Sequence, residues 1–456
     1  MDRRLSAFDG AMVVVSLVIG IGIFRTPALV AGESGSTGAF LLAWALGGAV
    51  SLMGALVFAE IGARSPRAGG FYQIVADSFH PLAGFLVSWS QTVMQGVGAA
   101  TVAVIGAEYL LRLTGSGARP GLASMVMAAT LIAGLTALNA AGVRAGAGAQ
   151  NALSLAKVML IAGLTLAGLW WSATHPAPPA APPPAVPPAG MLAALLAVFY
   201  TYGGYQNTMN LAGDVTNPRR NLPWAVCGGM ALVTLLYLGI NLAYVLVLGP
   251  GGVASSPLVA ADMAARVLGP AGESLVSLAI FLSAAGFVNA TILHMPRAYH
   301  AMAADGLLPA ALGRIDPRTQ AQRVGLLFFA ATALVPLFFL KSFEKLVAYV
   351  MFTDTLSLAL LASCLFVMRR RGTGEGAGEG LGAWRMPGYP ALPLVFVMVV
   401  LAVAGDLLAR QTGVALAGLL VSAAGVPVYV LMKWRRVTST AAPEESPAGR
   451  RRGGSS

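Results

Sequence analysis

Charged residues are scarce in this sequence: only 10% of its 456 residues are Asp, Glu, Lys or Arg, whereas 57% are hydrophobic. A soluble domain carries about a quarter charged residues because its surface must be hydrated, so the composition excludes soluble domains and indicates a polytopic membrane protein. Cysteine is equally rare, and Cys227 and Cys364 both lie in apolar runs, which excludes a disulfide framework. The four histidines form no His-Glu-x-x-His pattern, so no metal, no cofactor and no enzymatic centre is expected.

The positive charge of the chain indicates a membrane surface as its partner. A net charge of +11 would suggest nucleic acid in a soluble protein, but here the basic residues lie in short loops between apolar runs. Most of them fall on one side of the membrane if the N-terminus is cytoplasmic. We therefore expect a multi-pass protein of the cell membrane, in contact with the lipid bilayer but not with nucleic acid, with both termini in the cytoplasm.

Apolar runs long enough to span a bilayer predict about twelve transmembrane helices, because each needs roughly 20 apolar residues. We expect one all-α membrane domain over residues 1–432 and a disordered, basic cytoplasmic tail over residues 433–456. The predicted spans are Phe8–Val30, Thr37–Ile61, Leu82–Leu111, Leu122–Ala140, Gln150–Trp171, Met191–Ala212, Trp224–Leu248, Ala271–Ala301, Val324–Leu340, Phe343–Met368, Leu392–Leu408 and Gly413–Met432.

Two glycine clusters interrupt these apolar runs. The first predicted helix contains Gly20-Ile21-Gly22-Ile23-Phe24, and the sixth contains Tyr202-Gly203-Gly204. In a bilayer, an unwound turn is tolerated only where its free amides and carbonyls face a cavity or a ligand. Either cluster alone is also explained by close helix packing, which small residues promote. If helices one to five and six to ten are inverted repeats, the clusters are equivalent, and such paired breaks are typical of a transporter's binding site.

Breaks of this kind suit a zwitterion such as an amino acid. Amides at the start of the outer half-helix, aided by the helix dipole, are expected to attract a carboxylate. Carbonyls that end the preceding half-helices are expected to accept hydrogen bonds from an ammonium group. The predicted substrate-binding residues are Gly22, Ile23 and Phe24 through their amides, Val18, Ile19, Tyr200 and Thr201 through their carbonyls, and in addition Gly20, Ile21, Tyr202 and Gly203.

The two breaks belong to a larger set of motifs. The others are Phe58-Ala59-Glu60-Ile61-Gly62, Asn217-Pro218-Arg219-Arg220-Asn221-Leu222-Pro223, Val288-Asn289-Ala290-Thr291 and Asp305-Gly306-Leu307-Leu308-Pro309. Together they resemble the amino acid/polyamine/organocation (APC) superfamily, and within it most closely the L-type amino acid exchangers. The resemblance implies a LeuT-like fold of 5+5 inverted repeats with discontinuous helices one and six, repeat one at about 8–171, repeat two at about 191–368 and extra helices at about 392–432.

The resemblance also implies roles for individual residues. Gly20 and Gly22 match the loop that binds the substrate carboxylate in the family, and Gly203 matches the unwound sixth helix. Tyr200 stands where the family has an aromatic gate over the substrate. The chain departs from the pattern at Ile21, where many relatives have serine, and this leaves the carboxylate more dependent on backbone amides.

Lys157 lies in the middle of the predicted fifth helix, too deep to reach either membrane surface easily. Such a residue marks an ion or proton pathway or forms a structural salt bridge. In sodium-independent relatives, a lysine at this place resembles a fixed cation in a vacant sodium site between the first and eighth helices. The sequence His294-Met295-Pro296 agrees, because a sodium site there would need the hydroxyl oxygens of a Ser/Thr pair. Sodium coupling is therefore not expected.

Other charged and titratable residues allow two interpretations each. His294 and Asp354 are candidates for proton-linked transport, or are polar residues satisfied inside the bundle. Arg25 either attracts anions to the outer vestibule or pairs with an acid such as Glu108. A cytoplasmic group forms either inner-gate ion pairs or ordinary interfacial charges, and comprises Glu60, Arg64, Arg67, Asp214, Arg219 and Arg297.

These features predict a sodium-independent secondary active transporter of L-amino acids, either an exchanger or a proton-coupled permease, that works by alternating access. The alternatives are a transporter of polyamines or other organic amines, and a membrane protein without transport activity, namely an embedded enzyme or a sensor. The family's eukaryotic exchangers bind a partner glycoprotein through an outer-loop cysteine. Because both cysteines here lie within predicted spans, no covalent heavy chain is expected.

Overall fold

The structure is almost entirely helical. This computed structural model describes residues 5–65, 70–112, 121–176, 190–212, 214–256, 258–337, 343–372, 384–410 and 412–440. Within these ranges the regular secondary structure is helical apart from one isolated bridge between Leu5 and Val215.

The described residues form sixteen α-helices and two separate 3-10 helices, and a 3-10 turn at residues 335–337 follows the twelfth α-helix. The 3-10 helices are Tyr205–Leu211 and Ala310–Gly313. The α-helices are α1 Ala7–Val18, α2 Gly22–Ser34, α3 Thr37–Arg64, α4 Gly70–Ser78, α5 Pro81–Arg112, α6 Leu122–Ala140, α7 Val143–Thr174, α8 Gly190–Thr201, α9 Pro218–Ser255, α10 Val259–Leu268, α11 Pro270–Ala304, α12 Arg323–Leu334, α13 Phe343–Arg370, α14 Ala391–Arg410, α15 Thr412–Ala423 and α16 Gly425–Thr440.

Eight of the described helices are long and apolar enough to cross a membrane, or nine if the bent pair α1 and α2 forms one further span. The eight candidate spans contain 19 to 38 residues, which is enough to cross a bilayer that requires roughly 20. The structure therefore agrees with a multi-pass membrane protein.

Local sequence signals explain where several helices begin and end. Ser6 caps α1 by accepting a hydrogen bond from the Asp9 amide, and the Asp9 carboxylate accepts one from the Ser6 amide. This reciprocal capping box satisfies amides that a helix start would leave unpaired. Gly35 ends α2 with a left-handed backbone (φ 67°), a conformation that glycine adopts without steric cost. Pro218 begins α9, where its missing N–H costs no hydrogen bond.

The helix boundaries differ from the sequence prediction at several points. The short helices α4 and α10 were not predicted, and the twelfth predicted span is divided into α15 and α16. Helix α16 continues to Thr440, so the tail that was expected from residue 433 begins with helical residues. Residues 441–456, Arg67 and residues 338–340 of the ninth predicted span lie outside the described residues.

The buried side chains form two large clusters. One is built mainly around α1, α2, α3, α8 and α9, and includes Trp44 and Tyr237. The other is built around α5, α6, α11 and α12, and includes Tyr299 and Phe329. Helix α3 packs extensively against α9, and α5 packs extensively against α11. Helices α7 and α11 also pack against α1, which brings both clusters to the break between α1 and α2.

Candidate functional site

The first helix is interrupted at Ile19–Ile21, and the axes of α1 and α2 differ by 47°. Among the described residues, the amides of Gly22 and Ile23 at the start of α2 donate to no protein acceptor. The Phe24 amide, which was also expected to be free, instead donates to the Ile21 carbonyl at 3.1 Å, because the first turn of α2 closes tightly. Two unpaired amides thus remain at this positive helix end.

The second interruption lies between α8 and the 3-10 helix that begins at Tyr205. Gly204 has a φ of 116°, and a Cβ atom there would lie 2.5 Å from the Leu17 carbonyl oxygen. Only glycine allows this approach, since any side chain would collide with the backbone of α1. The Tyr237 hydroxyl donates to the Val18 carbonyl at 3.0 Å and lies 3.5 Å from the Thr201 carbonyl. The two breaks therefore face each other.

Lys157 connects α7 to the end of α1. Its ammonium group is buried, with the residue only 1% exposed, and donates to the carbonyls of Ile19 at 2.7 Å and Ser16 at 3.1 Å. A Cβ atom on Gly286 of α11 would lie 2.7 Å from Lys157 Cε, so the lysine lies between α1, α7 and α11. Within the described residues its partners are carbonyls and not a carboxylate. A helix C-terminus attracts a cation in this way because its carbonyl dipoles are unpaired.

The carbonyls expected to bind a substrate ammonium group already have protein partners. The Ile19 carbonyl accepts hydrogen bonds from both Lys157 and Ser283, the latter at 3.2 Å. A carbonyl oxygen has two lone pairs, so Ile19 has no remaining acceptor capacity in this conformation. The Val18 carbonyl accepts from the Tyr237 hydroxyl at 3.0 Å and from the Gly20 amide at 2.8 Å, so both of its lone pairs are also used. The lysine and hydroxyl side chains were not foreseen as competitors for these carbonyls.

A cavity of about 240 Å³, here called the central cavity, adjoins the second break and is lined by Tyr200, Gly203, Asn207, Phe287 and Asp354 among others. Asp354 Oδ1 accepts a hydrogen bond from Gln91 Nε2 at 2.7 Å. Asn207 Oδ1 is buried and has no hydrogen-bond partner among the described residues. The cavity thus combines mainly apolar walls with a few polar acceptors, which is typical of a small-molecule site.

A second cavity, of about 570 Å³, is lined by Ile21, Gly22, Tyr200 and Thr201 among others. Tyr200 lines both cavities, and its hydroxyl lies 3.1 Å from Thr355 Oγ1 of α13. Tyr200 is thus part of the wall of both cavities, and one hydrogen bond connects its side chain to α13.

Tyr202 and His294, which were predicted as site residues, line neither of these cavities. Tyr202 is fully buried, and its ring lies edge-on to Trp44 with centroids 6.0 Å apart, so it belongs to the core of the first cluster. His294 is fully buried in α11, where Nδ1 donates to the Ala290 carbonyl at 2.9 Å and Nε2 has no partner among the described residues. Asp354 alone of the two titratable candidates therefore faces a site for a ligand.

The expected ion pairs form two separate groups. Glu60 at the end of α3 contacts Arg64 at 2.7 Å and Arg369 at 2.6 Å, and the latter was not foreseen. Asp214 contacts Arg297 of α11 at 2.8 Å. Because the Leu5 amide also donates to the Asp214 carbonyl at 2.9 Å, this group connects the start of α1 to α11.

Several residues of the site were not found from the sequence, namely Gln91, Asn207, Tyr237 and Ser283. Each carries a polar group within a predicted span, but no local motif distinguishes these residues from polar residues that bond only to their own helix. Their role depends on contacts between helices that are distant in the chain.

The sequence is similar to those of several known proteins. The sequence profile described as amino acid permease matches residues 5–424. The chain is 30% identical to the serine/threonine exchanger SteT of Bacillus subtilis (strain 168), over 96% of this chain and 98% of that protein. It is 29% identical to the b(0,+)-type amino acid transporter 1 of Mus musculus, over 81% of this chain and 76% of that protein. It is 28% identical to the large neutral amino acids transporter small subunit 2 of Homo sapiens, over 94% of this chain and 80% of that protein.

Proposed function

Because the chain belongs to the amino acid permease family, we propose that it is a sodium-independent secondary active transporter of L-amino acids that works by alternating access. The observation that carries this proposal is the contact of Lys157 with the last carbonyls of α1, directly beside the two facing breaks. In this proposal the ammonium group of Lys157 takes the place at which a sodium-coupled transporter would bind its metal ion. Either exchange or proton-coupled uptake is compatible with this arrangement.

We propose twelve transmembrane helices in two inverted repeats of five, followed by two extra helices. To the eight long spans and the bent first span we add three shorter ones: α8 with its 3-10 helix, α12, and α15 with α16. The predicted spans one and two then share a cluster with six and seven, and three and four share the other with eight and nine. Each of these spans therefore lies in the same cluster as the span five positions later in the chain, which is its equivalent in the second inverted repeat. In this topology both termini are cytoplasmic.

We propose that the substrate's carboxylate binds the amides of Gly22 and Ile23. These amides begin α2, where the helix dipole favours an anion, and Gly22 lines the second cavity. Tyr200 then lies between this point and the central cavity. The substrate's side chain would extend past Tyr200 into the central cavity, so that one molecule reaches both sites.

Lys157 acts in this proposal as a fixed cation that couples α1 to α7 and α11. Alternating access in this fold moves the halves of the first and sixth helices relative to the rest. Since the ammonium group binds the end of α1, that motion must change its hydrogen bonds. Lys157 therefore influences the conformational cycle without contacting the substrate.

We propose that the transporter forms no covalent complex with a heavy chain. Both cysteines are free, with Cys227 in α9 and Cys364 buried in α13, where a partner outside the membrane would not reach them. An organic amine is the second candidate substrate, because Asp354 places a carboxylate in the central cavity. A requirement for a free substrate carboxylate distinguishes amino acids from amines.

Uptake into proteoliposomes tests the proposal. We expect the purified protein to accumulate or exchange at least one L-amino acid equally well in sodium and choline buffers, while its methyl ester and simple diamines compete weakly. Liposomes without protein are the control. A strict sodium requirement would refute the fixed-cation role, and uptake of amines with no amino acid uptake would refute the substrate class.

A further inference from the structure

Asp354 is the one carboxylate among the described residues that line the central cavity. It lies in α13, next to Thr355, whose hydroxyl contacts the hydroxyl of Tyr200. The same cavity is lined by Gly203 and Gly204 of the second break. The carboxylate is therefore within the space that a substrate's side chain would enter from the breaks.

Among the described residues, no basic side chain neutralises the charge of Asp354. Gln91 donates one hydrogen bond to Oδ1, and within the described residues Oδ2 accepts none. No lysine, arginine or histidine of the described chain lies within ion-pair distance of it. Asn207 adds a buried, unpartnered oxygen to the same cavity. Both features provide acceptors and call for a ligand that donates hydrogen bonds or carries positive charge.

The remaining wall is mostly apolar and includes Leu17, Val97, Phe287 and Leu358. A purely apolar side chain would pack well there but would leave the carboxylate desolvated and unpaired, which is costly. A short polar side chain would leave the apolar wall without contacts. A chain of methylene groups that ends in a cation satisfies both parts of the cavity.

We propose that the central cavity selects L-amino acids whose side chain ends in a primary ammonium group, such as ornithine and lysine, through an ion pair with Asp354. This inference rests on the proposed function, because it assumes that the α-carboxylate binds the amides of Gly22 and Ile23. It assigns to Asp354 a role in substrate selection.

Ornithine and norleucine provide a matched pair of ligands, since they differ only in a terminal ammonium or methyl group. Binding is measured by thermal shift of the purified protein in detergent, because a ligand that binds only the folded state raises its apparent stability. A charged hydrogen bond is worth about 1.5–3 kcal/mol, so we expect wild type to bind ornithine roughly tenfold to a hundredfold more tightly than norleucine.

Asp354→Asn keeps the shape of the side chain and removes its charge. We expect the ornithine-to-norleucine ratio to fall to about one, while Asp354→Glu retains a preference for ornithine. Glu273→Gln removes a carboxylate from the exposed start of α11 and serves as the control, with an unchanged ratio. If Asp354→Asn is unstable, the wild-type ratio and Asp354→Glu still decide the matter.

A wild-type preference for norleucine, or an ornithine preference that persists in Asp354→Asn, would overturn the inference and leave amino acid transport intact. Tighter binding of putrescine than of ornithine would overturn the proposed substrate class instead, because putrescine has no carboxylate. A folded wild type that binds no amino acid would overturn both proposals together.

Discussion

Replacing Lys157 with methionine should slow transport much more than it affects folding. Methionine has a similar length and is flexible and apolar, so it can fill the space of the lysine stem. The substitution removes a buried charge that has only carbonyl partners among the described residues. Since burying such a charge is itself costly, its removal should change the thermal stability little.

The effect on the cycle follows from the two hydrogen bonds. The contact with Ile19 at 2.7 Å has the length of a strong charge-assisted bond, whereas that with Ser16 at 3.1 Å is longer and weaker. Together they should favour this arrangement of α1 by about 2–3 kcal/mol over one in which the contacts are broken. Their loss would shift the balance between the two conformations by roughly 30-fold to 150-fold. We expect turnover to fall by at least about tenfold, because every cycle must return to this arrangement.

The assay compares substrate binding by thermal shift with initial uptake rates in proteoliposomes, for wild type and Lys157→Met. Ser283→Ala is the matched control, because it removes a neutral donor to the same Ile19 carbonyl, at 3.2 Å, and keeps the cation. A neutral hydrogen bond contributes about 1 kcal/mol at most in this geometry, so the control should lose less than about fivefold.

Wild-type turnover by a stable Lys157→Met protein would refute the fixed-cation role. Equal losses in Lys157→Met and Ser283→Ala would also refute it, since the effect would then depend on the carbonyl contacts and not on charge. Parallel losses of binding and turnover would instead place Lys157 in the substrate site.

The other predictions concern space and charge at the breaks. Gly22→Leu should abolish uptake in a folded protein, because even a Cβ atom there lies 3.0 Å from Thr201 Cγ2; normal uptake would place the substrate elsewhere. Gly286→Ala should reproduce the transport defect of Lys157→Met, because its Cβ atom would lie 2.7 Å from Lys157 Cε and 2.8 Å from Ser16 Oγ. The uptake rate and the melting temperature of the variant test this prediction, and an active, stable Gly286→Ala protein would contradict the tight packing of Lys157. Methyl esterification of the best substrate should raise the ligand concentration needed for a given thermal shift by about tenfold or more, since it removes the anion that the start of α2 attracts. Equal binding of the ester would contradict the assignment of the carboxylate to this helix end.

The position of the breaks could be predicted because it is a local property of the chain. Glycines at 20 and 22, and at 203 and 204, interrupt apolar runs that otherwise form continuous helices, and the structure ends α1 at Val18 and α8 at Thr201. Membrane character was equally accessible, because charge content and the length of apolar runs depend on composition alone. The family followed from motifs near these breaks, and the match over residues 5–424 confirmed it.

The partners of the buried groups depended on how distant helices pack. The sequence placed Lys157 inside the membrane, but which groups it contacts was fixed only when α7 packed against α1 and α11. Helix packing also brings Ser283 to the Ile19 carbonyl and buries Tyr202 in the core. The apolar pattern of the sequence could not predict these contacts, because it does not distinguish one buried face of a helix from another. A helix that is apolar on all sides carries little information on its rotation, so only the tertiary structure decides which polar residues meet and which of them face a cavity.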